Sequence, residues 1–177
     1  INNLKICQEW GVKTGKAIRL ATGGNSYIYR NKITNIDIND FYHGIYFDNN
    51  SYNGINANTF SGSIWASRQA MHVRGGGNIF TFNTQNTTAD PENPELANVY
   101  CNGEYNQFIG LIYDVANEGL VKYAYEFGDD GTNNTITCYY PDRLIKNPHG
   151  VSNFFPSKDF GGGDEQFVLE NIPNARP

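Results

Sequence analysis

Five residues recur at one position of a repeat of 26 to 28 residues: Arg19, Tyr46, His72, Tyr100 and Glu126. Their types suit carbohydrate recognition, since aromatic rings stack on apolar sugar faces while Arg, His and Glu hydrogen-bond hydroxyls or charged substituents. Two columns flank this row. Ala17, Gly44, Ala70, Asn98 and Ala124 are small and predict a trough on one side. Ala21, Asp48, Arg74, Asn102 and Gly128 lie on the other, with Asp48 and Arg74 placed to line its rim. The candidate ligand-binding set is therefore Arg19, Tyr46, Asp48, His72, Tyr100 and Glu126.

Catalysis makes narrower demands. Hydrolysis of a glycosidic bond uses two carboxyl groups about 5–10 Å apart. Asp48 and Glu126 stand three repeats apart, about 14 Å at the ~4.8 Å spacing of neighbouring strands, which is too far. Asp37 and Asp40, with Asp114 and Glu118 in a later repeat, leave a pair across other faces open. Elimination chemistry needs a base beside a charge neutraliser, and His72 with Arg74 or Arg19 is the best set for it. His72, Arg74 and Glu126 are the catalytic candidates.

No metal or cofactor is expected. Asp129-Asp130-Gly131-Thr132-Asn133 gathers oxygen ligands but lacks the spaced acids and distal Glu of a calcium loop, and reads as a turn. Cys7, Cys101 and Cys138 are too few and too scattered for zinc or a disulfide framework. Cys101 falls on an inward position, as a buried small hydrophobe. Gly75-Gly76-Gly77 follows a strand but precedes no helix pattern, so it is not a phosphate cradle. There is no Gly-x-Ser-x-Gly elbow.

The elements that must carry the row are short strands: residues 17–20, 44–47, 70–73, 98–101 and 124–127. Alternation along a strand sends Ile18/Leu20, Ile45/Phe47, Met71/Val73, Val99/Cys101 and Tyr125/Phe127 inward and the row outward. A second landmark is an Asn followed two residues later by an apolar side chain, at Asn31, Asn58, Asn106 and Asn134; Asn83-Thr84-Gln85 is a fifth, degenerate copy. Asn tolerates left-handed backbone, and its amide can bond to the copies above and below. Apolar runs this short and alternating do not fit helical repeats. A fixed period of such strands predicts an all-β parallel solenoid of about five to six coils.

The segments Asn31 to Phe47, Asn58 to Val73 and Asn106 to Phe127 resemble the right-handed parallel β-helix of pectate-lyase-like proteins and phage tailspikes. The resemblance spans about residues 15–140 and lies in architecture, without a catalytic signature. It implies a receptor-binding module on a virion tail or fibre, holding a bacterial surface polysaccharide and assembling as a homotrimer. A secreted polysaccharide-degrading lyase or glycosidase on the same scaffold is the alternative, and a rigid fibre spacer a third. The row itself reads as a ligand groove, a subunit contact or plain surface, because pleated surfaces carry such ladders for packing reasons alone.

Composition bounds these readings. A chain of 177 residues with 39% hydrophobic and 18% charged residues reads as one globular domain, or a fragment of something longer, and is large enough for a real core. No apolar run is long enough for membrane insertion by a helix. With a net charge of -5 and scattered basic residues, nucleic acid is not an expected partner. Residues 1–14 read as a partial coil or the continuation of a longer chain, and 15–140 as the solenoid. Residues 86–95 depart from the repeat as a polar, Pro-bearing exposed loop. Residues 141–177 hold five prolines and Gly161-Gly162-Gly163, which rule out a regular coil through most of them, yet Phe154, Phe155, Phe160 and Phe167-Val168-Leu169 are too apolar for disorder. They predict an irregular capping arm over the last coil or onto a neighbouring subunit, with 167–169 as a final strand.

Overall fold

A computed structural model describes residues 1–9, 12–23, 26–49, 54–85, 87–113, 121–139 and 144–157. Among them the regular elements are strands and one short 3-10 turn at Pro148–Gly150. The first circuits comprise β1 (Asn2–Cys7), β2 (Thr14–Thr22), β3 (Ile28–Tyr29), β4 (Lys32–Asn39), β5 (Phe41–Asn49) and β6 (Ile55–Asn56). The middle of the chain adds β7 (Thr59–Trp65), β8 (Gln69–Val73), β9 (Ile79–Gln85), β10 (Val99–Cys101) and β11 (Gln107–Tyr113). Last come β12 (Tyr123–Phe127), β13 (Asn134–Tyr139), β14 (Leu144–Lys146) and β15 (Val151–Ser157).

Every pairing is parallel. Sheet one has the order β1-β4-β7-β9-β11-β13-β15, sheet two β14-β12-β10-β8-β5-β2, and a small third sheet pairs β3 with β6. The chain thus visits sheet one and sheet two in turn, each visit adding one strand beside the last, an all-β arrangement compatible with a β-solenoid. The strands form because apolar residues alternate with polar ones and the apolar set meets between the sheets. Ile38, Ile45, Phe47, Phe60, Val73, Phe127 and Ile136 are fully buried there. Phe60, Phe80 and Phe108 stack on one another in successive circuits, with centroids 5.1 and 5.2 Å apart and rings 7° and 8° from parallel.

An amide ladder, buried from Asn58 onward, fixes the register. It runs Asn31, Asn58, Asn78, Asn106, Asn134, each Nδ2 donating to the next Oδ1 at 3.1–3.2 Å. Each backbone N–H donates to that same Oδ1 at 2.9–3.1 Å. The Nδ2 groups also reach carbonyls of the preceding circuit, at Ile28, Ile55, Gly75 and Gly103. These are the partners that a buried primary amide requires. Asn78, not Asn83, is the third rung, and Asn83 is exposed on the outer face of sheet one. The physical reason is a shortened turn: rungs 58 and 78 are 20 residues apart, where the other intervals are 27 or 28.

The left-handed backbone expected at these asparagines belongs to the residue before each of them. Arg30, Ala57, Gly77, Tyr105 and Asn133 have φ of 54–63°, at 56, 54, 63, 56 and 55°. The reversal is completed one residue early, which frees the Asn side chain to point inward. Glycine is demanded elsewhere. Gly110 has φ 144°, and a Cβ there would sit 1.9 Å from the Phe82 carbonyl oxygen.

Stacking extends beyond residues 15–140 at both ends. β1 pairs with β4, and β14 and β15 pair with β12 and β13 in what was expected to be an irregular arm. Pro148 starts the 3-10 turn and Pro156 lies in β15 at the sheet edge, where a strand tolerates proline. The apolar residues Phe160 and Phe167-Val168-Leu169 lie outside the described residues, as do Asp114 and Glu118.

Candidate functional site

The row is in unbroken register on sheet two. Arg19 pairs with Tyr46, Tyr46 with His72, His72 with Tyr100 and Tyr100 with Glu126. Lys146 on β14 follows Glu126 as a sixth rung that the sequence reading missed. At the basic end Arg19 Nε donates to Asp48 at 2.7 Å. At the other, Lys146 Nζ lies 3.0 Å from Glu126, both half-buried or more.

Between these ion pairs the rings stack on each other. Tyr46 and His72 have centroids 4.6 Å apart at 24°, and His72 and Tyr100 4.7 Å apart at 31°. Lys16 Nζ sits 4.4 Å over the Tyr46 ring. His72 is thereby covered on both faces and Tyr46 on both of its own. A sugar approaching this row meets ring edges and hydroxyls, not the open faces on which the sequence argument relied.

The trough of small residues is absent. Gly44, Ala70, Asn98 and Ala124 are buried. Each precedes another inward residue, Ile45, Met71, Val99 or Tyr125, so the strand turns a corner with two consecutive side chains facing the core. Asn98 shows the consequence, donating to Thr84 Oγ1 and accepting from Thr87 Oγ1, both at 2.8 Å. The corner also resets the alternation. Lys16 and His43, three residues before Arg19 and Tyr46, would by strict alternation face inward, yet they join the outer cluster. His43 packs edge-on to Tyr46 at 4.7 Å and to His72 at 6.0 Å.

Both histidines are neutral near pH 7. Burial lowers His43 to about 4, helped by the neighbouring His72 and Lys16. Burial lowers His72 to about 4 as well, helped by Arg74 and Lys16. The Gln69 amide, whose Nε2 donates to the Ala97 carbonyl, turns Oε1 to His72 Nδ1 at 3.2 Å. That contact makes Nδ1 the protonated nitrogen and leaves Nε2 with the lone pair. Burial and the Glu126 carboxylate raise the Tyr100 hydroxyl.

Arg74 shares this face, two residues beyond His72. It is half-buried and makes no hydrogen bond or ion pair among the described residues. Asp37 and Asp40 stand apart from the row. Asp37 accepts from Ser63 Oγ at 2.8 Å and faces Lys5 at 3.6 Å on sheet one, while Asp40 is buried at the β4–β5 corner. The 129–133 segment is a turn in which Asp130 and Asn102 bond reciprocally, and no cluster of metal-binding side chains occurs among the described residues. Cys101 is fully buried and its thiol is pushed up to about 12 by that burial.

The 86–95 excursion is anchored rather than wholly exposed. Thr87 and Asp90 are buried, and Pro91 through Glu95 face solvent. Arg68 donates to Thr88 Oγ1 at 3.2 Å and to the Ala89 carbonyl, and the Tyr42 hydroxyl donates to Asp90. That bond holds the Asp90 carboxyl below its usual range and raises Tyr42 to about 12. Tyr42 in turn packs 4.7 Å from His43, so the loop closes one edge of the cluster.

No family model, curated protein or solved structure matches this chain.

Proposed function

We propose that the chain is a right-handed parallel β-helix module that holds a bacterial surface polysaccharide along the outer face of sheet two, as the receptor-binding part of a phage tail or fibre. The observation that supports this reading is the six-rung row from Arg19 to Lys146, about 24 Å long at the ~4.8 Å strand spacing. That length suits several sugar rings. Arg74, with five donors and no partner among the described residues, is the group best placed to take an acidic or hydroxyl-rich substituent.

A polysaccharide-degrading enzyme is the second reading, and the Nε2 lone pair of His72 beside Arg74 favours it. Against it stand the low basicity of a ring held at about 4 and the commitment of Glu126 to Lys146. The test is incubation with capsular and wall polysaccharides, reading binding and new reducing or unsaturated ends together. Binding without cleavage is expected, and Arg74→Gln should weaken it about tenfold or more with the unfolding midpoint unchanged. Cleavage supports the enzyme, and neither binding nor cleavage leaves the spacer.

A further inference from the structure

Sheet one carries no charge across five of its strands. β7, β9, β11, β13 and β15 contain no Asp, Glu, Lys, Arg or His. Sheet two, built by the same alternation, sets Lys16, Arg19, Asp48, Glu126 and Lys146 on its outer face. Inward positions are largely apolar in both sheets, so the difference lies in what faces out. Along β9 the buried Phe80, Phe82 and Thr84 alternate with Ile79, Thr81, Asn83 and Gln85, which point away from the core. Charges return on β4 and β1, as Lys32 and as Asp37, which Lys5 matches at 3.6 Å.

Loss of charged side chains, with aromatic and aliphatic groups left at the surface, is the compositional mark of the centre of a protein–protein contact. Trp65 and Ile109 are 36% and 37% exposed on this face. Among the described residues nothing bonds to or stacks on the Trp65 indole, and the side chains of Thr81, Asn83, Gln85 and Gln107 make no hydrogen bond.

Those groups say what the partner is. A hydroxyl or primary amide both donates and accepts, so a patch built from them is complementary to a copy of itself, as a patch of one charge sign is not. The chain carries -5 overall, and a face without acids is where two copies can meet with least repulsion. Five strands at ~4.8 Å, each about seven residues long at ~3.3 Å, give a face of about 24 by 23 Å. Two such faces bury about 1,100 Å² in all, just above the ~1,000 Å² expected of a specific contact. Symmetry then sets the number of copies. A two-fold axis sets a patch against itself, whereas a ring of three sets one patch against a different one. The other large face, sheet two, bears the charged row.

We infer that two copies of this chain pack face to face through sheet one about a two-fold axis, with Trp65 and Ile109 covered between sheets about 10 Å apart. The row on sheet two then faces outward on both sides of the dimer, whatever it binds. This assembly stands against the homotrimer that the resemblance implies.

Sedimentation velocity of the full chain over a wide concentration range, in low and high salt, tests this. A monomer–dimer equilibrium is expected. No ion pair holds the interface, so high salt should leave the dimer in place or strengthen it by screening the net charge. Thr81→Lys and Ile109→Lys, in register on neighbouring strands near the centre of the face, should each return the mass to that of a monomer, because an unpaired ammonium would be buried between the sheets. Tyr105→Lys, exposed on the turn before Asn106, should leave the dimer intact. Circular dichroism checks folding, and either lysine variant on sheet one carries the test if the other does not fold. A chain that stays monomeric throughout, a fixed trimer, a dimer that high salt dissolves, or a dimer that the sheet-one lysines leave intact would overturn the inference.

Discussion

Replacing Asn78 by Leu removes the central rung of the amide ladder while keeping a side chain of similar size. Its amide makes four hydrogen bonds: Nδ2 to the Ile55 carbonyl and to Asn106 Oδ1, and Oδ1 from the N–H and Nδ2 of Asn58. Asn106 Oδ1 keeps a donor, the backbone N–H of residue 78. Three groups lose theirs: the Ile55 carbonyl, the Asn58 N–H and one Asn58 Nδ2 hydrogen. Both asparagines are buried, so water does not replace the lost partners. At about 1–3 kcal/mol for each orphaned group, offset by about 2 kcal/mol for burying the leucine, the net loss is roughly 1–7 kcal/mol. Asn31→Leu is the control. Its rung is exposed and water can take over, so the cost should stay under about 1 kcal/mol. Urea unfolding of both variants, compared at matched slope, measures the difference. Equal losses at the two rungs, or an Asn78→Leu loss below about 0.5 kcal/mol, would refute the view that the ladder is a buried cooperative network.

Two further outcomes follow from the same geometry. His43 and His72 fall from an ordinary 6.5 to about 4 in the folded state, so the unfolded chain binds protons first and stability drops as pH falls from 6.5 to about 4, then stops changing on their account. At roughly 1.4 kcal/mol per pH unit, reduced for partial solvent exposure, the pair should withdraw about 2–5 kcal/mol, and a His43→Gln, His72→Gln double variant unfolded at pH 4 and pH 7 should lose most of that dependence. Asp90 acts in a lower window, since its depressed carboxyl gives stability that is lost only as pH falls below the ordinary Asp range. Gly110→Ala should cost roughly 2–5 kcal/mol by thermal or chemical unfolding, from a φ of 144° and a Cβ placed against the Phe82 carbonyl; a near-neutral result would mean that the sheet relaxes freely there.

The 26-to-28-residue spacing of Arg19, Tyr46, His72, Tyr100 and Glu126 carried the register of sheet two, because a parallel sheet turns equal spacing directly into adjacency. Three things were not legible. The rung at Asn78 follows a turn shorter than its counterparts in the first two circuits, so counting by period landed on Asn83; the pattern Asn-x-apolar at Asn78-Ile79-Phe80 was the available signal. The left-handed positions are occupied by Arg30, Ala57, Gly77, Tyr105 and Asn133, a set with no shared chemistry, because tertiary stacking imposes that backbone on whatever residue is there. Lys16 and His43 were hidden by the corner at Gly44-Ile45. Strict alternation holds along a strand and fails where two neighbours both turn inward.

The self-stacking of the row has a consequence for what such a surface can recognise. Parallel strands bring equivalent positions to about 4.8 Å, close to the 4.6 and 4.7 Å between the rings here. An aromatic column on a regular sheet of this kind therefore satisfies its own faces before any ligand arrives. Truncating Tyr46 or Tyr100 would then act first on the ladder, uncovering His72 and allowing its ring to regain basicity. Discrimination among ligands passes to groups whose partners do not lie in the column. Arg74 is such a group: it sits between Asp48, already committed to Arg19, and Asn102, already committed to Asp130, with its donors unspent among the described residues. On the proposed reading, a rigid stacked wall with that guanidinium beside it would fix the orientation of an extended polymer through that single contact, while the ring edges and hydroxyls would accept many substituents along the rest of its length.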